Sequence, residues 1–140
     1  MIDVLFVCTG NTCRSPMAAC LFNARCAALG LPYHAESAGL MAAPGLPASD
    51  GAWQAMRERG LSLERHAARP LTDALVRDAK RIVCMSPSHA QAVLQRYPDA
   101  RVTSFQPPIA DPYAGSLAVY RACADQLAVQ LEALLADCAR

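Results

Sequence analysis

The chain has 140 residues, 54% of them hydrophobic, and 13 Lys and Arg against 12 Asp and Glu give a formal net charge of +1. This length fits one domain, residues 1–140, with enough apolar side chains to bury a substantial core. The basic residues are scattered without a run, so the sequence shows no electrostatic footprint for nucleic acid or for an anionic membrane. We therefore expect any bound anion to be held locally.

The start of the chain and its cysteines predict a cytoplasmic protein. Asp3 interrupts a short apolar run, unlike the basic start and long apolar stretch of a signal peptide. No window reaches the length of a membrane span. The seven cysteines are odd in number and export is not indicated, which disfavours a structural disulfide framework. We expect buried thiols in the helix-like stretches at Cys20, Cys26, Cys123 and Cys138.

Strand, loop and helix alternate from the beginning of the chain. The apolar run "DVLFV" (3–7) predicts a strand, and the helical spacing of apolar residues over 16–29 predicts a helix. Ser15 is the expected N-cap, Pro16 lies in the first turn, and Gly30 is the expected C-terminal stop.

The alternation continues to the end of the chain. In order, the pattern predicts a strand over 33–39, a helix over 51–59, a short helix within 69–79 capped by Thr72, a strand over 81–85, a helix from Ser86 and Pro87 to about Tyr97, and a strand over 101–105. A proline-rich loop then leads to a last helix from about Leu117, with an apolar face of Val119, Leu127, Leu131 and Leu134. The predicted fold is α/β with three layers, a four-stranded parallel sheet with helices on both faces.

The loop after the first predicted strand, "CTGNTCRSP", has the composition of a phosphate-binding site with a nucleophile. It lies beyond the carboxyl end of a strand, where open α/β sheets bind ligands, and its backbone N–H groups lead into a helix N-terminus that favours an anion. Cys8 would feel this field and the charge of Arg14, and both favour the thiolate. Arg14 can also donate to two phosphate oxygens at once.

Three smaller residues fit the same interpretation of the loop. Gly10 removes a Cβ where the backbone approaches the anion, Asn11 tolerates the left-handed conformation that turns N–H groups inward, and Ser15 could donate to the thiolate. A metal site is disfavoured because Cys8 and Cys13 lack the short spacing of zinc pairs and no second pair occurs. The Gly-Lys-Ser/Thr ending of a nucleotide-binding loop is absent. A capped helix start beside a buried Cys remains the plainer alternative.

Two motifs resemble the low molecular weight protein tyrosine phosphatase family. Residues 8–16 resemble its C-x-G-N-x-C-R-S-P signature, and Asp111-Pro112-Tyr113 resembles its Asp-Pro general-acid motif. The resemblance extends nearly end to end and includes the "SAG" at 37–39. It implies that Cys8 attacks phosphorus to form a phosphocysteine, that Arg14 and the loop hold the phosphate, and that Asp111 acts as general acid and then as general base. The implied phosphate-binding loop comprises Thr9, Gly10, Asn11, Thr12, Cys13 and Ser15.

The resemblance also implies supporting roles and a setting for the reaction. Asn11 would hold the loop through hydrogen bonds with Ser37 and His66, and Cys13 would form a reversible disulfide with Cys8 under peroxide. The substrate would be a phosphorylated protein or peptide, no metal or cofactor would be required, and the family is often monomeric. The plainer alternatives are that Asp111 only forms a turn, that His66 is a surface histidine, that Cys13 is an inert thiol and that the lone Trp53 is core.

The residues around the motifs favour phosphoarginine over phosphotyrosine as substrate. Thr12 stands where tyrosine-specific members have isoleucine, and Ala114 stands where a second tyrosine is common; both resemble the bacterial protein arginine phosphatase branch. A hydroxyl lowers the cost of burying a polar guanidinium beside it. The expected substrate flank consists of Leu40, Met41 and Tyr113. Tyrosine phosphatase activity is the alternative, with arsenate reduction and a non-catalytic phosphoprotein-binding module as more distant ones.

Overall fold

The computed structural model describes residues 1–140, which form four strands and five helices. In chain order these are β1 (Ile2–Cys8), α1 (Arg14–Leu29), β2 (Ala35–Gly39), α2 (Asp50–Glu58), α3 (Asp73–Asp78), β3 (Ala79–Cys84), α4 (Pro87–Arg96), β4 (Val102–Ser104) and α5 (Leu117–Cys138). None of these helices has both the length and the apolar composition of a membrane span.

The strands form one parallel sheet in the order β2-β1-β3-β4. Because all four run in the same direction, their carboxyl ends meet at one edge of the sheet. Cys8 lies at that edge, paired with Gly39 at the end of β2, and Val7 is paired with Cys84 at the end of β3. The loops that follow the strands are therefore brought together beside Cys8.

Successive side chains of β1 point to opposite faces of the sheet, and they divide the hydrophobic core into two clusters. Val4 and Phe6 belong to the larger hydrophobic cluster, which includes residues of α1, α2 and α5, and the Phe6 ring packs against Phe22 of α1 with centroids 5.8 Å apart. Leu5 and Val7 point to the other face, where a smaller cluster includes residues of α3 and α4. The predicted three-layer α/β fold with a four-stranded parallel sheet is confirmed.

Most of the predicted helix boundaries are confirmed by the capping contacts. Thr72 and Ser86 accept hydrogen bonds from the backbone N–H groups of Leu75 and His89, and Pro87 occupies the first turn of α4. Gly30 ends α1 in the left-handed conformation at φ 67°. These are local rules of sequence, so they hold here without help from tertiary contacts.

The start of α1 differs from the prediction. The helix begins at Arg14, Cys13 occupies the N-cap position without a side-chain capping bond, and Ser15 lies inside the first turn. The prediction that Ser15 caps this helix is therefore wrong. Its hydroxyl is instead 2.8 Å from the sulfur of Cys8, so a contact with the preceding strand replaces the capping contact.

Further expectations need correction. Val119 is 46% exposed and does not belong to the buried face of α5, which consists of Tyr120, Cys123, Ala124, Leu127, Leu131 and Leu135. Cys20 and Cys138 are only half-buried, whereas Cys26 and Cys123 are buried as expected. The strand predicted over 81–85 begins at Ala79, which pairs with Ile2, and β2 begins at Ala35 instead of residue 33. Trp53, which was expected in the core, does pack against the larger cluster, but it is only half-buried, with the guanidinium of Arg57 5.0 Å from its ring centroid.

Candidate active site

The loop between β1 and α1 turns sharply at Asn11. Its φ of 57° is left-handed, as predicted for this residue, and asparagine adopts that conformation more readily than most residues. Gly10 has no positive φ, and a Cβ at this position would meet only Thr12 Oγ1, at 3.9 Å. The packing of the protein does not itself require glycine at position 10, so the expected role of Gly10 in approaching an anion stays a prediction.

A directed chain of hydrogen bonds ends at the sulfur of Cys8. The backbone N–H of Arg69 donates to Asn11 Oδ1 at 3.0 Å, and Asn11 Nδ2 donates to Ser15 Oγ at 2.8 Å. Because Ser15 Oγ accepts from Asn11, its own proton is free to be donated, and Cys8 Sγ at 2.8 Å is the nearest acceptor. A hydroxyl that donates to sulfur stabilises the thiolate form. The predicted contact between Ser15 and Cys8 is present.

The side of the loop that faces β2 is held by hydrogen bonds to Asn11. Asn11 Nδ2 also donates to Ser37 Oγ at 2.9 Å, and His66 Nε2 lies 2.6 Å from the carbonyl oxygen of Asn11. A carbonyl only accepts, so His66 must carry its proton on Nε2. Burial lowers the pKa of His66, while its bond to Asn11 opposes that shift. The two hydrogen bonds expected of Asn11, with Ser37 and His66, are both present.

Arg69 and Gly39 also contribute to the side of the loop that faces β2. Arg69 Nε donates to the carbonyl oxygen of Ser37 at 3.0 Å, and its Nη2 bonds Glu36 at 2.5 Å. Gly39 passes directly under the loop: a Cβ there would be 2.6 Å from Thr9 O and 3.0 Å from Asn11 N. Both contacts are backbone atoms, so only glycine allows the end of β2 to lie this close to the loop.

Arg14 and Asp111 approach each other across the loop. The guanidinium of Arg14 is buried, its Nη1 donates to the carbonyl oxygen of Ile109 at 3.0 Å, and its Nη2 is 3.7 Å from Asp111 Oδ2. Asp111 Oδ1 accepts from the backbone N–H of Tyr113 at 3.0 Å. The carboxyl group therefore both forms a turn, as the plainer alternative proposed, and directs its second oxygen toward Arg14. Its side chain is 54% exposed and open to a substrate.

Cys13 lies buried beneath the loop and faces α2 and α5. Its sulfur is 3.2 Å from Ser49 Oγ and 3.5 Å from the hydroxyl of Tyr120. Burial raises the pKa of Tyr120 to about 12. The Tyr120 ring packs on Gly51, where a Cβ would fall 2.2 Å from the ring, so this glycine makes room for the contact with Cys13.

The side of the loop that faces β3 makes one side-chain contact, through Thr9. Thr9 Oγ1 is 2.9 Å from His89 Nε2, and His89 Nδ1 is 2.9 Å from Oγ of Ser86, the N-cap of α4. His89 is buried, whereas Thr9 is exposed. Burial and the charge of Arg14 lower the pKa of His89.

The residues expected to flank the substrate differ in exposure. Met41 and Tyr113 are 78% and 73% exposed, and the N–H of Met41 donates to Thr9 O at 2.9 Å. Leu40 is half-buried against the smaller cluster on the far face of the sheet, so its side chain is committed to packing. Thr12 is half-buried, with Oγ1 3.7 Å from Cys13 Sγ. Met41, Tyr113 and Thr12 thus present surface around the loop.

His89, Arg69, Ser49 and Tyr120 contact the loop but were not found from the sequence. His89 had a usable signal, because it lies in the first turn of the helix after β3, at the same sheet edge as Cys8. Tyr120 and Arg69 had none, because their partners lie 107 and 58 positions away along the chain.

The arrangement can bind a tetrahedral oxyanion at a helix N-terminus and attack it with a thiol, which is the chemistry of a cysteine-dependent phosphatase. A family model described as "Low molecular weight phosphotyrosine protein phosphatase" matches residues 3–140. The chain belongs to this family.

Individual relatives agree with this membership. The chain is 35% identical to a protein-arginine-phosphatase of Bacillus subtilis over 135 residues, covering 90% of this chain and 89% of the relative. It is 36% identical to a protein-arginine-phosphatase of Geobacillus stearothermophilus, with 94% and 92% covered. A solved low molecular weight protein tyrosine phosphatase from T. tengcongensis superposes with a TM-score of 0.93 at 35% identity, with 98% and 99% covered.

Proposed function

We propose that the protein hydrolyses phosphorylated arginine side chains of proteins through a phosphocysteine formed on Cys8. The observation that carries this proposal is the hydrogen-bond chain that ends at Cys8 Sγ, combined with the 3.7 Å approach of Asp111 to Arg14. These contacts support a nucleophile at Cys8, a phosphate-binding cation at Arg14 and a proton donor at Asp111. All three are needed for this reaction, and no cofactor is required.

The first step transfers the phosphoryl group to sulfur. The Cys8 thiolate attacks phosphorus while the bond from phosphorus to the substrate nitrogen breaks, and Asp111 donates its proton to that leaving nitrogen. Arg14 and the loop N–H groups stabilise charge on the three remaining phosphate oxygens. Ser15 stabilises the thiolate before attack and after release, because its hydroxyl donates to the sulfur.

The second step returns the enzyme to its starting state. The Asp111 carboxylate takes a proton from a water molecule, the oxygen of that water attacks phosphorus, and the phosphorus–sulfur bond breaks. Inorganic phosphate and the Cys8 thiolate are the products, so atoms and protons balance over the cycle. The exposure of Asp111 allows water to reach it once the first product has left.

Thr12 supports the choice of phosphoarginine. Its hydroxyl offers a polar surface beside the loop, where an isoleucine would favour an apolar phenyl ring. The two curated relatives described above are named protein-arginine-phosphatases. Phosphotyrosine is the second candidate, because Tyr113 presents an exposed aromatic ring beside Asp111 and the T. tengcongensis structure carries a tyrosine phosphatase name.

Two other classes of activity receive less support. A thioredoxin-coupled arsenate reductase relays a disulfide through further reactive thiols, but Cys84 is buried within β3 and burial raises its pKa to about 12. A non-catalytic phosphoprotein-binding module needs neither nucleophile nor acid, but this chain has Cys8 at the carboxyl end of β1 and Asp111 beside Arg14. A burst of phosphocysteine in the wild type would exclude such a module.

We include redox control and a reducing setting in the proposal. A nucleophilic thiolate must remain reduced to act, and all seven cysteines are free, which suits the cytoplasm. Cys13, held by Ser49 and Tyr120, is the proposed partner of Cys8 in a reversible disulfide that protects the nucleophile from further oxidation. We expect a monomer.

The test compares kcat/KM on phosphoarginine and phosphotyrosine peptides, with Cys8→Ser as the blank. We expect a higher value on phosphoarginine and no turnover by the blank. Replacing Thr12 by isoleucine should shift the ratio of the two values toward phosphotyrosine by about tenfold, because an alkyl side chain replaces a hydroxyl that can hydrogen-bond the substrate. Thr12→Ser, which keeps the hydroxyl, is the matched control. A wild-type preference for phosphotyrosine would refute the substrate assignment.

A further inference from the structure

The contact between the side chains of Thr9 and His89 has no role in the two reaction steps proposed above. Thr9 Oγ1 and His89 Nε2 are 2.9 Å apart and join the loop to α4 across 80 positions of sequence. The histidine ring is buried while the threonine is exposed at the surface of the loop. The pair therefore has a fixed inner end and an outer end that a bound substrate can reach.

The ring of His89 is held at both nitrogens. Its Nδ1 is 2.9 Å from Ser86 Oγ, which also accepts the backbone N–H of His89 as the N-cap of α4. Burial and, after it, the charge of Arg14 lower the pKa of His89, while Asp111 opposes the shift.

A hydroxyl oxygen in this position keeps an acceptor site in either tautomer of the ring. If His89 Nε2 carries the proton, Thr9 Oγ1 accepts it with one lone pair and retains the other. If Nε2 is unprotonated, the Thr9 hydroxyl donates to it and both lone pairs remain. In the second case the bond to Nε2 fixes the rotation of the hydroxyl, and in both cases an acceptor lone pair remains for a partner on the open side.

We propose that His89 is a positioning residue that holds Thr9 Oγ1 as a hydrogen-bond acceptor for N–H groups of the leaving group. This inference rests on the proposed function and extends its account of specificity from Thr12 to the opposite side of the loop. A guanidino leaving group carries N–H donors close to phosphorus, whereas a phenolic one carries none. The held hydroxyl therefore favours phosphoarginine and contributes nothing to binding the ring of phosphotyrosine.

The experiment measures the selectivity ratio, kcat/KM on a phosphoarginine peptide divided by kcat/KM on a phosphotyrosine peptide, for Thr9→Val, His89→Ala and the double variant. We expect each single variant to lower the ratio about tenfold, as for the loss of one hydrogen bond. The double variant should be no lower than Thr9→Val alone, because His89 acts through Thr9. Both values come from one preparation, so any unfolded fraction cancels from the ratio.

Two further variants serve as controls. His89→Gln keeps a polar group that can reach Thr9 and should restore the ratio to within about twofold of the wild type. Gln91→Ala, an exposed substitution on the same helix, should leave the ratio unchanged. A lower selectivity ratio in Gln91→Ala would show that any disturbance of α4 alters selectivity, and it would overturn the assignment to His89.

The outcomes separate this inference from the function on which it rests. A wild type that prefers phosphoarginine, with a Thr9→Val ratio equal to that of the wild type, overturns the role of Thr9 and His89 alone. A selectivity ratio of the double variant well below that of Thr9→Val also overturns it, because His89 would then act by a route that does not involve Thr9. A wild type that does not hydrolyse phosphoarginine overturns both the proposed substrate and this inference.

Discussion

The two sides of the phosphate-binding loop are held in different ways. On the β2 side, Asn11 is fully buried and uses both its amide nitrogen and its oxygen, with Ser15, Ser37 and the backbone of Arg69 as partners. On the β3 side, the contact is made by Thr9, whose side chain is exposed and bonds the buried His89. The contacts on the β2 side fix the backbone of the loop, whereas the contact on the β3 side fixes the side chain of Thr9 at the surface.

Under the proposed function, we interpret this difference as a division between catalysis and selectivity. The left-handed conformation of Asn11 costs about 1 kcal/mol, and the buried hydrogen bonds of its side chain offset that cost. Changes on the β2 side should therefore affect every substrate equally. Changes on the β3 side should affect substrates according to the hydrogen-bonding groups that they carry. The following predictions test the β2 side of this comparison.

Asn11→Ala should have the largest effect. It leaves Ser37 and the N–H of Arg69 without their buried partner, removes the bond that orients Ser15 toward Cys8, and places alanine at a φ of 57°. We expect kcat/KM to fall at least about 100-fold, because the thiolate and the oxyanion site are both disordered. The fall should be equal on phosphoarginine and phosphotyrosine peptides, as measured by steady-state kinetics.

Asn23→Ala is the matched control for this variant. Asn23 makes a similar pair of bonds to a strand, with Nδ2 donating to Ala35 O at 3.0 Å and Oδ1 accepting from Ala35 N at 2.8 Å. It joins α1 to β2 away from the loop, so its loss should lower the melting temperature without lowering kcat. If both variants lowered kcat alike, general destabilisation and not loop geometry would explain the result.

Gly39→Ala should have the next largest effect. The added Cβ would lie 2.6 Å from Thr9 O, so the loop or the end of β2 must shift by several tenths of an ångström. We expect kcat to fall about tenfold on both substrates, because small displacements of a positioned group are costly in catalysis.

Gly30→Ala separates this effect from the general cost of replacing a glycine. Gly30 has a φ of +67°, and an added Cβ would meet nothing within 4 Å, so the substitution strains the backbone without a collision. We expect it to lower the free energy of unfolding by about 1 kcal/mol and to leave kcat unchanged. A loss of kcat in Gly30→Ala equal to that in Gly39→Ala would contradict the importance of the close approach to the loop.

Local rules explain which parts of the molecule the sequence could predict. The apolar faces of β1, the caps at Thr72 and Ser86, and the turn at Asn11 each depend on neighbouring residues and are present in the structure. The contacts of Asn11 with Ser37 and His66 came from the resemblance to a family, because no pattern in the sequence links positions 11 and 66. Ser15 shows where a local rule fails: serine is a good N-cap, but here its hydroxyl contacts Cys8.

The remaining contacts depend on tertiary structure alone. Cys13 meets Tyr120 because α5 packs beside α2 and Gly51 leaves room for the ring, which requires three distant segments to be in place. Leu40 was expected at the substrate flank, but the smaller cluster on the far face takes up its side chain. The periodicity of apolar residues predicts whether a side chain is buried or exposed, but it does not predict which segment of the chain that side chain packs against.

Acid should weaken the fold through the two histidines that hold opposite sides of the loop, and this is the smallest effect we predict. Burial lowers the pKa of both His66 and His89 below the ordinary value of 6.5, so each takes up a proton more readily in the unfolded chain. Their preference for the neutral ring stabilises the fold fully above about pH 6.5 and is lost as the pH falls below that value toward their folded pKa values. His66→Gln should therefore flatten the decline in unfolding free energy between pH 7 and 5, measured by urea denaturation. An unchanged slope in His66→Gln would mean that burial of this ring does not contribute to acid sensitivity.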